Sequence, residues 1–348
     1  MNSLLKIDNM SSILSSKDGP VFVLNDISLK IKQGQIVGLV GESGSGKTQL
    51  SMAFCGMQDL TPGVVSGQIK IKQDQDIINI YPTNQKDLNN LYFNSTNNLE
   101  RKNKNKFNKT VLSRTHHLKS NVFGWIPQDP RNYLNPFWTI KRLFKETFKS
   151  SKNTYNNLEE FTSAYLRQVD IDPNDVFKKY PHELSGGECQ RVMIAFVLSK
   201  NPQFIIADES TTGLDVSRQK KIISLFKKIK DNNPKLTIIL ISHDFGFLHH
   251  LVDKYLVMYG GYLVDDIDEK EDIKKPENLH PYTNILLSRL WGNSNDISKS
   301  RKRYIEFLNS QITSLVSNDE KDEISKLKRK QYIEFYTEKL NNYEQDNE

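Results

Sequence analysis

Ile36-Val37-Gly38-Leu39-Val40-Gly41-Glu42-Ser43-Gly44-Ser45-Gly46-Lys47-Thr48 is an apolar run that breaks into glycines and ends on a lysine and a hydroxyl. Gln35 to Val40 reads as a short buried strand, and Thr48 to Met57 as a helix. The turn between them, Gly41 to Thr48, fits G-x-x-x-x-G-K-[ST]. Its glycines let the backbone bend so that successive N–H groups point inward at phosphate oxygens. The helix that starts there adds its positive end to the same anion. Lys47 supplies a mobile positive charge for the β- and γ-phosphates of a nucleotide, and Thr48 offers a hydroxyl to Mg²⁺. A glycine-rich turn with an accidental Lys-Thr is the plain alternative; the strand before it and the helix after it argue against that.

Working outward, Phe204-Ile205-Ile206-Ala207-Asp208-Glu209 is an apolar strand that ends in two acids. In open α/β sheets, ligands bind at the C-terminal edge of the strands. Asp208 at that edge suits Mg²⁺ and Glu209 suits an attacking water; a solvated acidic turn is the bland reading. Leu184-Ser185-Gly186-Gly187-Glu188 holds Ser and Glu three residues apart, a capping box. Its two glycines leave the backbone bare at a helix start, which makes a second anion site in one chain. A plain capped helix explains Ser-x-x-Glu, but not Leu-Ser-Gly-Gly-Glu followed by Gln190-Arg191.

The rest of the pattern is α/β. Ile27, Leu29 and Ile31, then Ile69 and Ile71, alternate as half-buried strands. Val122 to Ile126 and Leu236 to Ile241 are apolar strands. Ile140, Leu143, Phe144 and Phe148, then Phe161, Tyr165, Leu166 and Val169, are spaced as helix faces. Further helices are expected from about Gly187 to Leu198 and around Ile222 to Ile229. Residues 73–121 are rich in Asn, Lys and Asp and read as a long surface insertion. Beyond about residue 293 the chain is charged and helical in pattern. Arg301-Lys302-Arg303-Tyr304-Ile305-Glu306-Phe307 nearly repeats in Arg329-Lys330-Gln331-Tyr332-Ile333-Glu334-Phe335. The offset of four heptads fits a helical pair or short coiled coil; coincidence in a biased sequence fits equally.

The 348 residues suffice for a sizeable core, with 37% hydrophobic and 26% charged residues. No stretch approaches the ~20 consecutive apolar residues of a membrane span, and Met1 to Ser12 lacks a signal peptide's apolar core. Action at a membrane then needs another chain. Cys55 and Cys189, both in expected helices, read as packing residues rather than a disulfide, zinc site or cluster. The net charge of +6 is mild.

Taken together, these motifs resemble the ABC family of transporter ATPases. Leu184-Ser185-Gly186-Gly187-Glu188 resembles its signature. Gln128, within Trp125-Ile126-Pro127-Gln128-Asp129-Pro130, looks like the Q-loop glutamine; Gly213-Leu214-Asp215 looks like the D-loop; His243, within Ile241-Ser242-His243-Asp244, looks like the switch histidine. All occur in the family's order, over roughly residues 20–72 and 122–290. The resemblance implies a P-loop NTPase of the ABC type: a RecA-like mixed sheet core, an antiparallel β subdomain, an α-helical signature subdomain and a C-terminal extension. Its expected divisions are 1–72 (β subdomain and phosphate loop), 73–121 (insertion), 122–138 (Q-loop), 139–200 (helical signature subdomain), 201–262 (acids and switch histidine) and 263–348 (extension and tail). Thr48-Gln49, Leu134-Asn135-Pro136, Tyr180-Pro181-His182-Glu183, Thr211-Thr212 and His280-Pro281-Tyr282-Thr283 are similar to the ATPase subunits of oligopeptide and dipeptide permeases, of the D type.

That resemblance implies ATP and Mg²⁺ as ligands. ATP-binding residues are Gly41, Glu42, Ser43, Gly44, Ser45, Gly46, Lys47, Thr48 and Gln49; metal-holding residues are Thr48, Gln128 and Asp208. Glu209, His243 and Gln128 would serve hydrolysis. Leu184, Ser185, Gly186, Gly187 and Glu188, with Asp215, would act across a head-to-tail dimer on the partner's ATP. The implied partners are a second, F-type ATPase subunit, two transmembrane permease subunits and an extracellular substrate-binding protein, with the chain peripheral on the cytoplasmic face of the membrane. Nucleic acid is not expected; basic residues 101–119 are the sole support for a soluble ATPase acting on DNA or ribosomes. The same ATPase role for nickel or a glycoside is the nearer alternative. The chain departs from the family pattern in two places. Ser210 stands where Pro usually follows the catalytic Glu. Aliphatic Ile13-Leu14 lie where an aromatic usually stacks on adenine, leaving Phe22 as a substitute.

Overall fold

The computed structural model describes residues 3–16, 19–57, 62–73, 76–81, 109, 111–116, 118, 122–150, 155–209, 216–249, 251–268, 278–291, 294–317 and 323–345. The central sheet holds β3 (Ile36–Val40), β6 (Phe123–Ile126), β7 (Phe204–Asp208), β8 (Thr237–Ser242), β9 (Lys254–Tyr259) and β10 (Tyr262–Ile267), in the order β10-β9-β3-β8-β7-β6. All its pairings are parallel except β9 with β10. The second sheet is antiparallel, β2-β1-β4-β5, from β1 (Ser3–Ser16), β2 (Gly19–Lys32), β4 (Pro62–Gln73) and β5 (Asp76–Asn79).

A sheet buried on both faces needs strands that are apolar throughout, and these are. Phe204 and Ile206 of β7 enter one core with Val37, Leu39, Ile239 and Ile241; Ile205 and Ala207 enter the other with Ile36, Val40, Ile238 and Leu240. The first core is closed by the antiparallel sheet and by α1 (Lys47–Phe54), through Leu5, Ile7, Ile27, Ile69 and Phe54. The second is closed by α2 (Ile140–Ser150), α3 (Leu158–Gln168), the single turn α4 (Pro173–Val176), α5 (Gly186–Leu198) and α6 (Val216–Asn232), through residues such as Phe144, Phe161, Ile194 and Phe226. Ile140, Leu143, Phe144, Phe161, Leu166 and Val169 are all buried, as their spacing predicts. β2 and β4 alternate as expected: Ile27, Leu29, Ile31, Ile69 and Ile71 point inward while Ser28 and Lys30 are exposed.

The structure also corrects the sequence reading. The stretch 73–121 is not all surface. Ile80, Tyr81, Val111 and Leu118 are fully buried in the same core as Phe54 and Cys55, and Thr115 is fully buried beside Gly56. β5 lies within the same stretch; residues 82–108 lie outside those described. The division at 262/263 falls inside β10, which pairs with β9 and so belongs to the core. Cys55 and Cys189 are free and buried. After the single turn α7 (Phe245–Leu248), the chain ends in α8 (Pro281–Trp291), α9 (Ser294–Ser317) and α10 (Glu323–Gln345). The near-repeat does mark a helix pair. Its equivalent tyrosines, Tyr304 and Tyr332, are 1% and 4% exposed, so the pair is docked on the core rather than standing free as a coiled coil.

Ile206 is fully buried on the strand that carries the acids. Ile206→Ala is expected to lower unfolding free energy by about 2–5 kcal/mol in a denaturant titration, through lost transfer energy and the cavity left behind.

Candidate functional site

Parallel pairing sets the site. β3, β8, β7 and β6 are neighbours running the same way, so their C-terminal ends line one edge. Val40 pairs with Ser242, Asp208 with Ile241 and Ile126 with Ala207. The residues that follow are thereby gathered: the phosphate loop after β3, His243 after β8, Asp208-Glu209 at the end of β7, and Gln128 just past β6.

The loop is held in shape from several sides. Lys47 is 5% exposed and donates from Nζ to the carbonyls of Gly41 and Glu42, each at 2.8 Å. Ser45 N–H donates to the Glu42 carbonyl at 3.2 Å. Gly41 has φ +154, and a Cβ there would lie 2.3 Å from the Met258 carbonyl oxygen, so only glycine fits. Gly46, at φ +100, is the N-cap of α1. Ser43 and Gly44 are exposed, Gln49 is half-buried, and Ser45 is buried. The Ser45 hydroxyl is buried without a hydrogen-bond partner, facing a loop whose remaining donors suit an anion.

The two acids meet the loop and the flanking polar groups. Thr48 Oγ1 lies 3.1 and 3.3 Å from the two Asp208 carboxylate oxygens and donates to them. Glu209 accepts from Gln128 Nε2 at 3.2 Å, and its other oxygen lies 3.7 Å from His243 Nδ1. Glu209 has φ +43, an unusual conformation for a non-glycine residue. Its N–H bonds to the Ile241 carbonyl, which fixes the backbone while aiming the carboxylate between Gln128 and His243. Burial pushes the Asp208 carboxyl above its ordinary range; the Glu209 charge pushes the same way, while the Thr48 hydrogen bond and Lys47 oppose it. Burial also lowers the Lys47 ammonium, against the pull of Glu209, Asp208 and Glu42. Lys47 and Asp208 are both poorly solvated, so an anion at the ammonium and a cation at the carboxylate would relieve each.

The Ser185 segment is a separate feature, on the helical side. Ser185 N–H donates to Glu188 Oε2 at 2.8 Å, and Glu188 N–H to Ser185 Oγ at 3.3 Å, the expected capping box. The hydrogen bonds with Ser185 also hold the Glu188 carboxyl below its ordinary range. A Cβ at Gly186 or Gly187 would meet nothing within 4 Å, so this helix start is open to a ligand's approach. A hollow there is lined by Ser185, Gly186, Gly187, Gln190, Arg191 and Lys221. Leu184 is buried, and its carbonyl accepts from Arg131 Nη2 at 2.5 Å. The segment after Gln128 is thus tied to the signature, a link that no local pattern announced. Asp215, Ser210 and Thr211-Thr212 lie outside the described residues.

Phe22 does not offer itself as a stacking face. It is 7% exposed, pairs with Ile13 across the β1–β2 ladder, and has the Lys328 ammonium 5.9 Å from its ring centroid. The sequence also gave no sign that Tyr282 and Lys339 reach the loop. Tyr282 OH accepts from Glu42 N–H, and Lys339 Nζ binds the Glu42 carboxylate, each at 2.8 Å.

Comparisons with known proteins bear on the family and the fold. A family model described as ABC transporter matches residues 24–212. The chain is 32% identical over 295 residues to the oligopeptide transport ATP-binding protein AppD of Bacillus subtilis, spanning 83% of this chain and 79% of that one. It is 33% identical over 290 residues to the dipeptide transport ATP-binding protein DppD of Escherichia coli, spanning 83% and 78%. Among solved structures, cbiO1 from Clostridium perfringens, part of the ABC transporter complex cbiONQ, matches with a TM-score of 0.56 and 24% identity over 79% of this chain and 94% of that one. The dimeric ATP-binding cassette MJ0796, bound to ADP and Pi after hydrolysis, matches with a TM-score of 0.57 and 20% identity over 76% and 98%. At such identities these two likenesses speak to the fold alone. The matched family model and the two transport relatives make the chain a member of the ABC transporter family, carrying that family's ATP-binding cassette.

Proposed function

We propose that this chain is the ATP-hydrolysing subunit of a peptide importer and works as one half of a head-to-tail ATPase dimer. The observation that carries the chemistry is the meeting of Lys47, Thr48, Asp208, Glu209, Gln128 and His243 at one edge of the parallel sheet. The cargo reading rests on the peptide and dipeptide transport relatives.

In this reading the phosphate loop binds the triphosphate with its backbone donors. Lys47 exchanges the Gly41 and Glu42 carbonyls for β- and γ-phosphate oxygens. Thr48 and Asp208 would hold Mg²⁺, an oxygen set with one carboxylate that the substrate's phosphates would complete; the reading adds Gln128, whose amide nitrogen here bonds Glu209. Mg²⁺, when bound, neutralises charge developing on the transferred phosphoryl group. Glu209 accepts a hydrogen bond from the attacking water and aims its oxygen at the γ-phosphorus. The water oxygen bonds to the γ-phosphorus as the bond from that phosphorus to the bridging oxygen breaks; the electron pair leaves on ADP and the water's proton passes to Glu209. His243 contacts the γ-phosphate, and Gln128 ties Glu209 to the segment that bears Arg131.

The open helix start at Ser185, Gly186 and Gly187 completes the ATP site of a second subunit, with Asp215 at the same interface. The γ-phosphate holds that dimer shut, and hydrolysis loosens it. No helix among the described residues is long and apolar enough to cross a membrane. By the transport relatives, the transmembrane step in this reading belongs to permease subunits, on whose cytoplasmic face the chain sits, and cargo choice belongs to them and an extracellular binding protein. Tyr133 and Phe137, 63% and 84% exposed just beyond Gln128, give the permease an aromatic foothold.

Glu209→Gln is expected to cut ATP turnover by about 10²–10⁴-fold while ATP still binds and the dimer persists in gel filtration; undiminished turnover would sink the role given to Glu209. Asp208→Asn has a second signature. The Asp208 carboxyl titrates above its ordinary value in the fold, so the stability it contributes is present at low pH and fades as pH rises through the folded pKa. Neutral Asn escapes that loss. In the absence of nucleotide, Asp208→Asn should melt higher than the unaltered chain at neutral pH and converge with it in acid, while hydrolysis falls at least about 100-fold. Calorimetry across pH, paired with phosphate-release assays, checks both.

A further inference from the structure

The phosphate loop leans on the C-terminal helices by two routes. The first runs through the β9–β10 turn. The near-repeat delivers tyrosine hydroxyls to adjacent residues there: Tyr304 OH donates to Tyr259 OH at 2.6 Å, and Tyr332 OH donates to the Gly260 carbonyl at 2.7 Å. The next residue, Gly261, donates its N–H to the Ser45 carbonyl at 3.2 Å. Gly260 sits at φ +55, and a Cβ there would come 2.9 Å from the Phe335 ring, so α10 presses directly on this turn. Asn25 N–H donates to the Gly261 carbonyl, and the Asn25 side-chain amide donates to Tyr332 OH. Gln331 extends the contact, accepting from Phe22 N–H at 3.0 Å and donating to the Phe22 carbonyl at 2.9 Å.

The second route ends on one residue of the loop, Glu42. Its N–H is taken by Tyr282 OH, its carbonyl by Lys47 and Ser45, and its carboxylate by Lys339. Tyr282 is itself stacked on Tyr259, with ring centroids 4.4 Å apart. The Lys339–Glu42 pair is largely shielded, its side chains 23% and 28% exposed. A carboxylate in a loop that must accept a polyanion needs a countercharge, and a loop that presents backbone donors must keep them aimed. Lys339 supplies the first and helps with the second.

We propose that α10 is a working part of the nucleotide site and that Lys339 is a positioning residue. Through Glu42 it holds the phosphate loop in the conformation that receives a triphosphate. This rests on the nucleotide-site reading above and adds to it a role for a helix that lies outside the matched family region.

The test is titration of the purified full chain with a fluorescent ATP analogue, alongside thermal midpoints without nucleotide. Lys339→Met should weaken binding about fivefold, and Lys339→Arg should restore most of it. Glu42→Gln should weaken binding too, and adding Lys339→Met to it should cost nothing more, because both act through one contact. Lys339→Met affinity within about twofold of the unaltered chain, failure of Arg to rescue, or losses that multiply in the double variant would each overturn the proposal. If Lys339→Met does not fold, Lys339→Gln decides: it keeps a polar side chain and removes the charge that Glu42 meets, so weakened binding supports the grip and unchanged binding overturns it. An unaltered chain that binds no ATP would instead overturn the nucleotide-site reading, and this inference with it.

Discussion

Parallel hydrogen bonding between β3, β8, β7 and β6 is the constraint on which the site depends. Strands that run the same way in register must end together, so whatever follows them shares one edge. Lys47 and Thr48, Asp208 and Glu209, His243 and Gln128 come from stretches far apart in the chain. Their meeting needs no local affinity between those stretches. It needs the apolar runs of β3, β7 and β8 to be buried on both faces, and the two cores provide that.

The same edge stores unfavourable terms. Asp208 is a carboxylate pushed toward its neutral form, Lys47 is an ammonium pushed toward its own, Glu209 adopts a left-handed backbone, and the Ser45 hydroxyl is buried without a partner. Each is tolerated because the sheet on either side over-determines its position. The two electrostatic terms are also relieved when an anion meets Lys47 and a cation meets Asp208. Binding and stability are therefore linked: nucleotide should raise the stability of the fold. The Arg131–Leu184 bond joins the segment just after Gln128 to the residue before Ser185.

The C-terminal helices change how the cassette should be pictured. They are fastened to the β9–β10 turn by Tyr304 and Tyr332, and to Glu42 and Asn25 by Lys339 and Tyr332, side chains about 300 residues away in sequence. Aromatic rings fill the seam: Tyr282, Tyr304, Phe335 and Tyr336 each contact the Tyr259 ring. Such rings bury large area and place hydroxyls with little conformational freedom, which suits a support that must not shift. Charged residues dominate this segment's composition, and they hide how much of it is core.

What the sequence settled alone was whatever a short window encodes. Gly41 to Thr48 needs its glycines because the backbone bends there, and Ser185 with Glu188 caps its own helix; both read correctly because the interactions are local. The apolar runs of β3, β7 and β8 announced a buried sheet for the same reason. Strands β1, β9 and β10 went unread, since their burial comes from partners rather than from their own alternation. So did the buried parts of 73–121, where Val111 and Leu118 join the same core as Phe54. Tertiary structure alone decided that Glu209 sits between Gln128 and His243, that Phe22 is covered, and that Lys339 reaches Glu42. The physical reason is shared: a contact across hundreds of residues leaves no periodicity or spacing in the chain, because only the folded sheet brings its two halves together.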